Sequence, residues 1–263
     1  MKKVLITGET GYIAGKLRGR LTAWGLDAEC VSVRGELPQN LADYDTVVHC
    51  AAIVHTRRGS EAEFNKVNTE LTRRLALAFK KRGGGQFIFL STMAVYGKMG
   101  SLRKIEVIGE DTPLLPSGYY GKSKLMAEKA LRELENDAFR VAILRPPVVY
   151  GKDCPGNFKT LELIARFSPI FPYVYNERSM LHVDKLCYII YKVINEDRRG
   201  TFHPHDKRRY CTSEIVKKMA KARGRRMILS GALGSIVVMF DAAVTRKAFG
   251  SLVYGGDFQD EML

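Results

Sequence analysis

The sequence predicts an α/β protein: a doubly wound parallel sheet with a small α/β lobe toward the C-terminus. Three observations predict it. Short apolar runs alternate with amphipathic helical patterns through the first 146 residues. A glycine-rich turn, Thr7-Gly8-Glu9-Thr10-Gly11-Tyr12-Ile13-Ala14, follows the first of those runs. After Pro146 the texture changes, with prolines at 155, 169 and 172 and an aromatic-rich stretch from Phe167 to Tyr175.

The elements follow in order. Lys3 to Ile6 reads as a short buried strand, and Gly11 to Trp24 as a helix closed by Gly25. Glu29 to Val33 and Asp45 to Cys50 read as the next two strands. Phe64 to Lys81 has helical periodicity and stops at Gly83-Gly84-Gly85. Gln86 to Leu90 is a strand, Gly118 to Glu135 a long helix, and Val141 to Leu144 a strand stopped by Pro146-Pro147. The proline- and aromatic-rich segment reads as irregular structure over a site. Val183 to Asn195 reads as a helix returning to the main domain. Beyond about 206 come a helix (Ser213 to Ala222), a strand (Met227 to Leu229) and a last helix. Residues 1–146 with about 181–205 are expected to form a dinucleotide-binding domain, and 147–180 with 206–263 a small substrate-binding lobe.

Composition narrows the class. A chain of 263 residues can bury one large core with a smaller lobe attached. Hydrophobic and charged fractions of 46% and 27% are those of a soluble globular protein. Met1-Lys2-Lys3 leads into an apolar run too short for a secretory signal. The longest apolar stretch, Met227 to Phe240, is too short to span a bilayer. Five scattered cysteines with no CxxC pair suggest neither a zinc site nor a disulfide framework, so a reducing, cytoplasmic compartment is expected. The net charge is +14, with basic residues concentrated late in the chain. It fits a solvated basic surface, attraction for an anionic substrate such as a nucleotide diphosphate, or an anionic membrane with the 227–240 segment lying against it. No nucleic-acid-binding motif accompanies it.

Gly8 stands where the first strand turns into the first helix. A dinucleotide site needs a tight turn there and backbone N–H groups close to a pyrophosphate, and side chains obstruct both. Gly8 and Gly11 meet those needs. The third position is Ala14, with Gly15 next, and alanine is tolerated where helix and strand pack closely. The turn, including Thr10, Tyr12 and Ile13, reads as the cofactor cradle of a Rossmann-type domain; the plain alternative is an ordinary strand–helix turn. Cofactor choice is read at the end of the second strand. There Ser32 stands where an NAD enzyme carries an acid, and the nearest acid is Glu36. Arg34 can pair bidentately with a 2′-phosphate. NADP(H) is therefore favoured, with NAD(H) the alternative and a solvent-facing Arg34 the plain reading.

Tyr120 is followed four residues later by Lys124, in Tyr119-Tyr120-Gly121-Lys122-Ser123-Lys124. Positions i and i+4 share a helix face, so both side chains can enter one cleft. A free tyrosine titrates near 10. A neighbouring ammonium, helped by a nicotinamide-ribose cation, is expected to lower that value, and Lys124 can also hydrogen-bond the cofactor ribose. Ser91 and Thr92 end a buried strand, where ligands bind in such sheets. A hydroxyl there can hold a substrate oxygen beside the phenol. Tyr-x-x-x-Lys alone more often marks two exposed helix residues. Its weight comes from Ser91-Thr92-Met93-Ala94-Val95-Tyr96-Gly97 before it and the glycine turn at the start.

These motifs run in order: TGETGYIA at Thr7, HCAA at His49, STMAVYG at Ser91, YGKSK at Tyr120, LRPPVVYG at Leu144 and RSMLHVDKL at Arg178. With them the chain resembles the extended short-chain dehydrogenases/reductases, the NAD-dependent epimerase/dehydratase family acting on nucleotide sugars. The resemblance implies that Thr92 is the catalytic Ser/Thr and that Tyr120 and Lys124 are the acid/base pair. It implies that Ala51 and Ala52 lie under the adenosine side of the cofactor, with Pro146 and Val148 alongside. Met93 and Asn157 would contact the nucleotide sugar, and Arg178 would grip its diphosphate. Asn157 can equally be a helix N-cap before Phe158, and His182 reads as structural. A homodimer through paired helices is a further family expectation.

The departures are informative. Met93-Ala94 follow Thr92 where dehydratases of the family carry Asp-Glu, which argues against water elimination. Val148 stands where sugar 4-epimerases often carry Asn, and the second strand lacks their acid. The segment from Gly156 resembles a subgroup that includes UDP-4-keto-6-deoxy-N-acetylhexosamine reductases and UDP-glucose 4-epimerases. The first expectation is an NADPH-dependent 4-keto reductase of a UDP-linked amino sugar in surface-polysaccharide synthesis. The second is a UDP-sugar 4-epimerase using Thr92, Tyr120 and Lys124 with retained NAD. The third is a non-catalytic nucleotide-binding protein.

Overall fold

A computed structural model describes residues 1–54 and 59–258, apart from the side chains of Asn157 and Asp257. The chain runs β1 (Lys3–Thr7), α1 (Tyr12–Ala23), β2 (Asp27–Val31), β3 (Thr46–His49), α2 (Glu61–Phe64), α3 (Leu71–Lys81), β4 (Gln86–Leu90), β5 (Glu106–Ile108), α4 (Tyr119–Leu134) and β6 (Arg140–Leu144). It continues through β7 (Val148–Tyr150), α5 (Asn157–Phe167), β8 (Ile170–Pro172), β9 (Met180–His182), α6 (Val183–Asn195) and β10 (Gly200–Phe202). The last elements are α7 (Thr212–Ala222), β11 (Ile228–Ser230), α8 (Gly231–Met239), α9 (Ala243–Phe249) and β12 (Leu252–Tyr254).

Six parallel strands form the central sheet, in the order β10-β6-β4-β3-β1-β2. Successive side chains on a strand face opposite ways, and here both sides are apolar. Val4, Ile6, Val48, Ile88 and Leu144 pack against α1 and α6, while Leu5, Val47, Phe87, Phe89 and Ile143 pack against α3 and α4. Burial on both faces is why these strands read as continuous apolar runs. The register sets Thr7 opposite His49, His49 opposite Phe89, and Leu90 opposite Leu144. The C-terminal ends of four strands therefore share one edge. The chain adds β2 to one side of β1, then returns to the other side for β3, so the order reverses between β1 and β3. Ligands bind such sheets at that point.

The structure departs from the sequence reading in four places. β2 ends at Val31 rather than Val33, because its partner β1 ends opposite it at Thr7 and the Gly8 N–H closes on the Val31 carbonyl. The expected 64–81 helix starts earlier, at Glu61. Ser60 and Glu63 form a reciprocal cap there, and a π turn over Asn65–Glu70 interrupts the helix. The 155–175 region is not simply irregular: it holds α5 and β8, with Pro155 and Pro169 at the borders of α5 rather than inside it. The C-terminal part has two helices after β11, followed by β12, which pairs in parallel with β5. β5, β10 and β12 have three residues each, too few to register as a period. No helix among the described residues is long and apolar enough to cross a membrane.

Candidate active site

The glycine turn lies at the switch point. Gly8 has φ +92°, and a Cβ there would lie 2.9 Å from the Ala51 nitrogen. The Gly11 N–H donates to the Gly8 carbonyl at 2.7 Å, and a Gly11 Cβ would meet that same oxygen at 2.9 Å. Ala14 is fully buried, whereas Gly15 has open space around it, so a third glycine at position 15 answers no packing need. The first turn of α1 holds no acid and Gly11 gives it no side-chain cap, leaving its N–H groups for an anion. This cradle fits a dinucleotide pyrophosphate. Thr10 is exposed beside it, and Ile13 is half-buried. The Tyr12 hydroxyl donates to the Lys152 carbonyl. Ser32 and Arg34 are exposed just past β2, and Glu29 in β2 already accepts the Tyr44 hydroxyl.

Below the cradle runs a buried relay. Thr72 Oγ1 donates to the Asn68 carbonyl at 2.7 Å, so toward His49 Nε2, 2.9 Å away, it can only accept. His49 therefore carries its proton on Nε2, and Nδ1 accepts from Thr7 Oγ1 at 2.7 Å. Burial, with Lys124 nearby, pulls His49 down to about 3, so the ring stays neutral. Asn68 accepts the Ile53 N–H and donates to the Ile53 carbonyl and to Ser123 Oγ; Ser123 in turn donates to the Tyr120 carbonyl. The end of β3, with half-buried Ala51 and Ala52, is thus tied to the first turn of α4. Sequence reasoning missed Asn68 and Thr72. The available signal was two polar residues at i, i+4 on an otherwise apolar helix face.

Thr92 is extended at the end of β4, and its Oγ1 accepts from the Ala94 N–H at 3.2 Å, capping a short turn over Met93–Tyr96. The Met93 N–H donates to the Pro146 carbonyl, which joins the ends of β4 and β6. Tyr120 stands at the start of α4. Burial pushes its phenol up to about 12, and a hydrogen bond with Thr92 opposes that rise. A Cβ on Gly121 would lie 2.7 Å from the Ala94 carbonyl oxygen, so glycine is what lets α4 rest on the Thr92 turn. Gly121→Ala is expected to move Tyr120 away from Thr92 and lower kcat by at least about tenfold, with cofactor binding retained. Steady-state kinetics beside a cofactor titration checks this, and an unchanged kcat would contradict it.

Lys124 differs from expectation. Its Nζ donates to the Leu90 carbonyl at 2.7 Å and lies 4.3 Å from the Phe89 ring centroid. The groups acting on the Tyr120 phenol are its own burial and Thr92, not this ammonium. A desolvated ammonium needs an acceptor, and the strand-end carbonyl provides one. Burial pulls Lys124 down from 10.5 to about 8, with Cys50 and Glu128 opposing. Below pH 8 both folded and unfolded chains hold this proton. From about 8 to 10.5 the unfolded chain holds more of it, so stability rises with pH. Urea midpoints of the cofactor-free protein should rise across that window more than those of Lys124→Met. Equal slopes would count against the assignment.

Ser91 belongs to a different set. It donates to Glu128 at 2.5 Å, and Arg145 donates to the same carboxylate at 2.6 and 3.1 Å. Arg145 also donates to the Tyr96 hydroxyl, which lies 2.8 Å from His203 Nε2. All five groups are buried. Of the two strand-end hydroxyls, Thr92 alone meets Tyr120.

The remaining expected residues are more scattered. Arg178 places Nη1 on the Lys247 and Ala248 carbonyls near the end of α9, and burial lowers its pKa. One edge of its guanidinium is therefore engaged within the chain. Val148 is exposed and Pro146 buried. His182 caps α6, with Nδ1 accepting the Asp184 N–H, in keeping with the structural reading. The Asn157 side chain lies outside the described part of the structure. No His, Cys, Asp and Glu cluster that could hold a metal occurs among the described residues.

Residues 4–203 match the NAD dependent epimerase/dehydratase family. The chain belongs to that family. Among curated members, a UDP-glucose 4-epimerase of Vibrio cholerae is 32% identical over 84% of this chain and 76% of its own length. An N-acetyl-alpha-D-glucosaminyl-diphospho-ditrans,octacis-undecaprenol 4-epimerase of Escherichia coli O157:H7 is 36% identical over 60% of this chain but only 48% of its own length. Solved structures share the fold. A UDP-glucuronic acid 4-epimerase from Bacillus cereus, in complex with NAD, superposes with TM-score 0.74 at 18% identity over 94% of both chains. A dTDP-4-dehydrorhamnose reductase from Bacillus anthracis, in complex with NADP, gives 0.73 at 22% identity over 97% of this chain and 90% of that one. The family model is that of NAD-dependent epimerases and dehydratases, and the two curated relatives above are both 4-epimerases.

Proposed function

We propose that the protein is a cytoplasmic NADPH-dependent reductase. Its substrate in this reading is the C4 ketone of a sugar carried on a nucleotide diphosphate, first of all a UDP-4-keto-6-deoxy-N-acetylhexosamine, in polysaccharide synthesis. The observation that carries this reading is the Thr92–Tyr120 pair at the C-terminal edge of the sheet, in a site whose second strand ends at exposed Ser32 and Arg34 with no acid there. Gly8, Gly11, Ala51, Ala52 and Pro146 would hold the cofactor, and exposed Ser32 and Arg34 would take its 2′-phosphate. When bound, the reduced cofactor supplies hydride. Thr92 would hydrogen-bond O4 and Tyr120 would give it a proton. Lys124, one turn along α4, is the cation of the site. The free edge of Arg178, with Asn157, would meet the diphosphate. Segments 147–180 and 206–263 would form the substrate lobe. Apolar residues of 161–174 and 216–249 cluster with Leu102 apart from the two layers that flank the sheet, whereas Leu252 and Tyr254 pack with Met93, Val95 and Tyr96 of the first segment.

A second reading, 4-epimerisation by the same three residues, is favoured by the 32% identity to a UDP-glucose 4-epimerase. One pair of assays separates the two. The first follows NADPH absorbance with the UDP-4-keto sugar, and the second analyses UDP-N-acetylglucosamine for its 4-epimer. Stoichiometric NADPH loss in the first is the expected result. Epimer without NADPH loss would replace the proposal with the second reading.

A further inference from the structure

A surface helix ordinarily turns its polar side to water. α8 does the reverse. Met227 to Phe240 contains no charged residue. Gly234 is the side of α8 that faces inward: a Cβ there would lie 1.9 Å from the Tyr173 carbonyl oxygen, so the helix rests directly on that backbone. Val237 and Val238 pack beside it on a cluster that includes Phe171, Val216 and Phe249. The outer side presents Ile236, 50% exposed, Met239, 68%, and Phe240, 64%. Ser235, the hydroxyl on the exposed surface of the helix, donates back to the Gly231 carbonyl. Other exposed apolar residues lie on the elements that neighbour the helix. Ile228 and Ile170 are register partners in the β11–β8 pair and both are exposed, as is Val244 on α9. A large exposed apolar patch marks an interaction surface.

The rim of this patch is basic. Arg225 donates to the Arg166 and Phe167 carbonyls, which fixes its guanidinium beside exposed Phe167. Arg226 is exposed one residue before Met227. Arg103 and Lys104 line a groove of about 660 Å³ at the foot of α8, together with Tyr173, Gly234 and Val238. Of the nearby acids, Asp241 pairs with Arg246, Glu162 pairs with Arg223, and Glu106 lies near Arg246, against the cations Arg103, Lys104, Arg225 and Arg226. The rim therefore keeps a positive excess, in a chain whose net charge is +14.

We propose that this face docks the protein on an anionic lipid bilayer. α8 lies in the plane of the interface, with Ile236, Met239 and Phe240 among the acyl chains and the rim cations on the headgroup phosphates. Nine residues of helix are too few to span a bilayer but enough to lie in its surface. The combination of an uncharged apolar centre and a positive rim is what such a surface complements. This docking goes beyond the sugar chemistry and does not depend on it.

Sedimentation of the full chain with vesicles tests it. The protein should pellet with phosphatidylcholine vesicles containing phosphatidylglycerol at least about tenfold more than with pure phosphatidylcholine. The double variant Ile236→Ser, Met239→Ser should lose that binding and keep the wild-type unfolding temperature, since both side chains are solvent-facing. Three results would overturn the proposal: no pelleting with either vesicle, equal pelleting of wild type and variant, or a wild-type dimer in vesicle-free solution that the double variant converts to monomer. The second would mean basic attraction alone. The third would make the face a protein interface.

Discussion

Tyr120→Phe should reduce kcat by about 10²–10⁴-fold, the range that a positioned general acid contributes. The folded protein and its affinity for cofactor should survive. The ring remains and only the hydroxyl is lost. Burial keeps the phenol protonated to about pH 12, and Thr92 is its hydrogen-bonded neighbour. Removing that oxygen therefore removes the proposed proton donor without opening a large cavity. Thr92→Val should act in the same direction, because it strips the other hydroxyl from the same point. Single-turnover rates at saturating cofactor are the measurement. A Tyr120→Phe rate within a few-fold of wild type would mean that another group supplies the proton.

The largest stability effect is expected at Glu128. Arg145 and Glu128 are both buried, with the guanidinium making two bonds to the carboxylate. Glu128→Gln keeps the shape and removes the charge, leaving Arg145 uncompensated. Breaking a buried pair from one side costs about 3–5 kcal/mol, which lowers Tm by roughly 10 °C in a chain of this size. Ser91 and Tyr96 are bonded to the same pair, so the loss spreads along the end of β4. Replacing both charged residues, as Glu128→Gln with Arg145→Met, should recover part of the loss, because it removes the unpaired cation. Calorimetry of the two variants decides. A loss below about 1 kcal/mol, the size of a surface pair, would show that water reaches the pair.

The parts of this protein that were legible in the sequence are those where one physical requirement dictates residue type. Apolar runs mark strands buried on both faces, so β1, β3, β4 and β6 could be placed to within a residue or two. Glycine at positions 8 and 11 answers a steric demand that the structure locates at the Ala51 and Gly8 backbones. Helical spacing put Tyr120 and Lys124 one turn apart. Other features depend on partners far away in the chain. Nothing near Asn68 indicates that it will clamp Ile53 to Ser123. Nothing near Lys124 indicates that the Leu90 carbonyl will hold its ammonium. Three-residue strands such as β12 exist only because β5 lies alongside. The apolar character of 227–240 was plain, but which side of α8 faces water follows from Gly234 resting on Tyr173.

In the proposed reaction the reduced cofactor delivers hydride to a sugar C4 and Tyr120 supplies the proton. NADPH carrying deuterium at both C4 positions of the nicotinamide tests it directly. After incubation with the UDP-4-keto sugar, mass spectrometry and proton NMR should find one deuterium in the product, bound to C4, and none transferred by Tyr120→Phe on the same timescale. A product without the label, or label at any other carbon, would contradict the account.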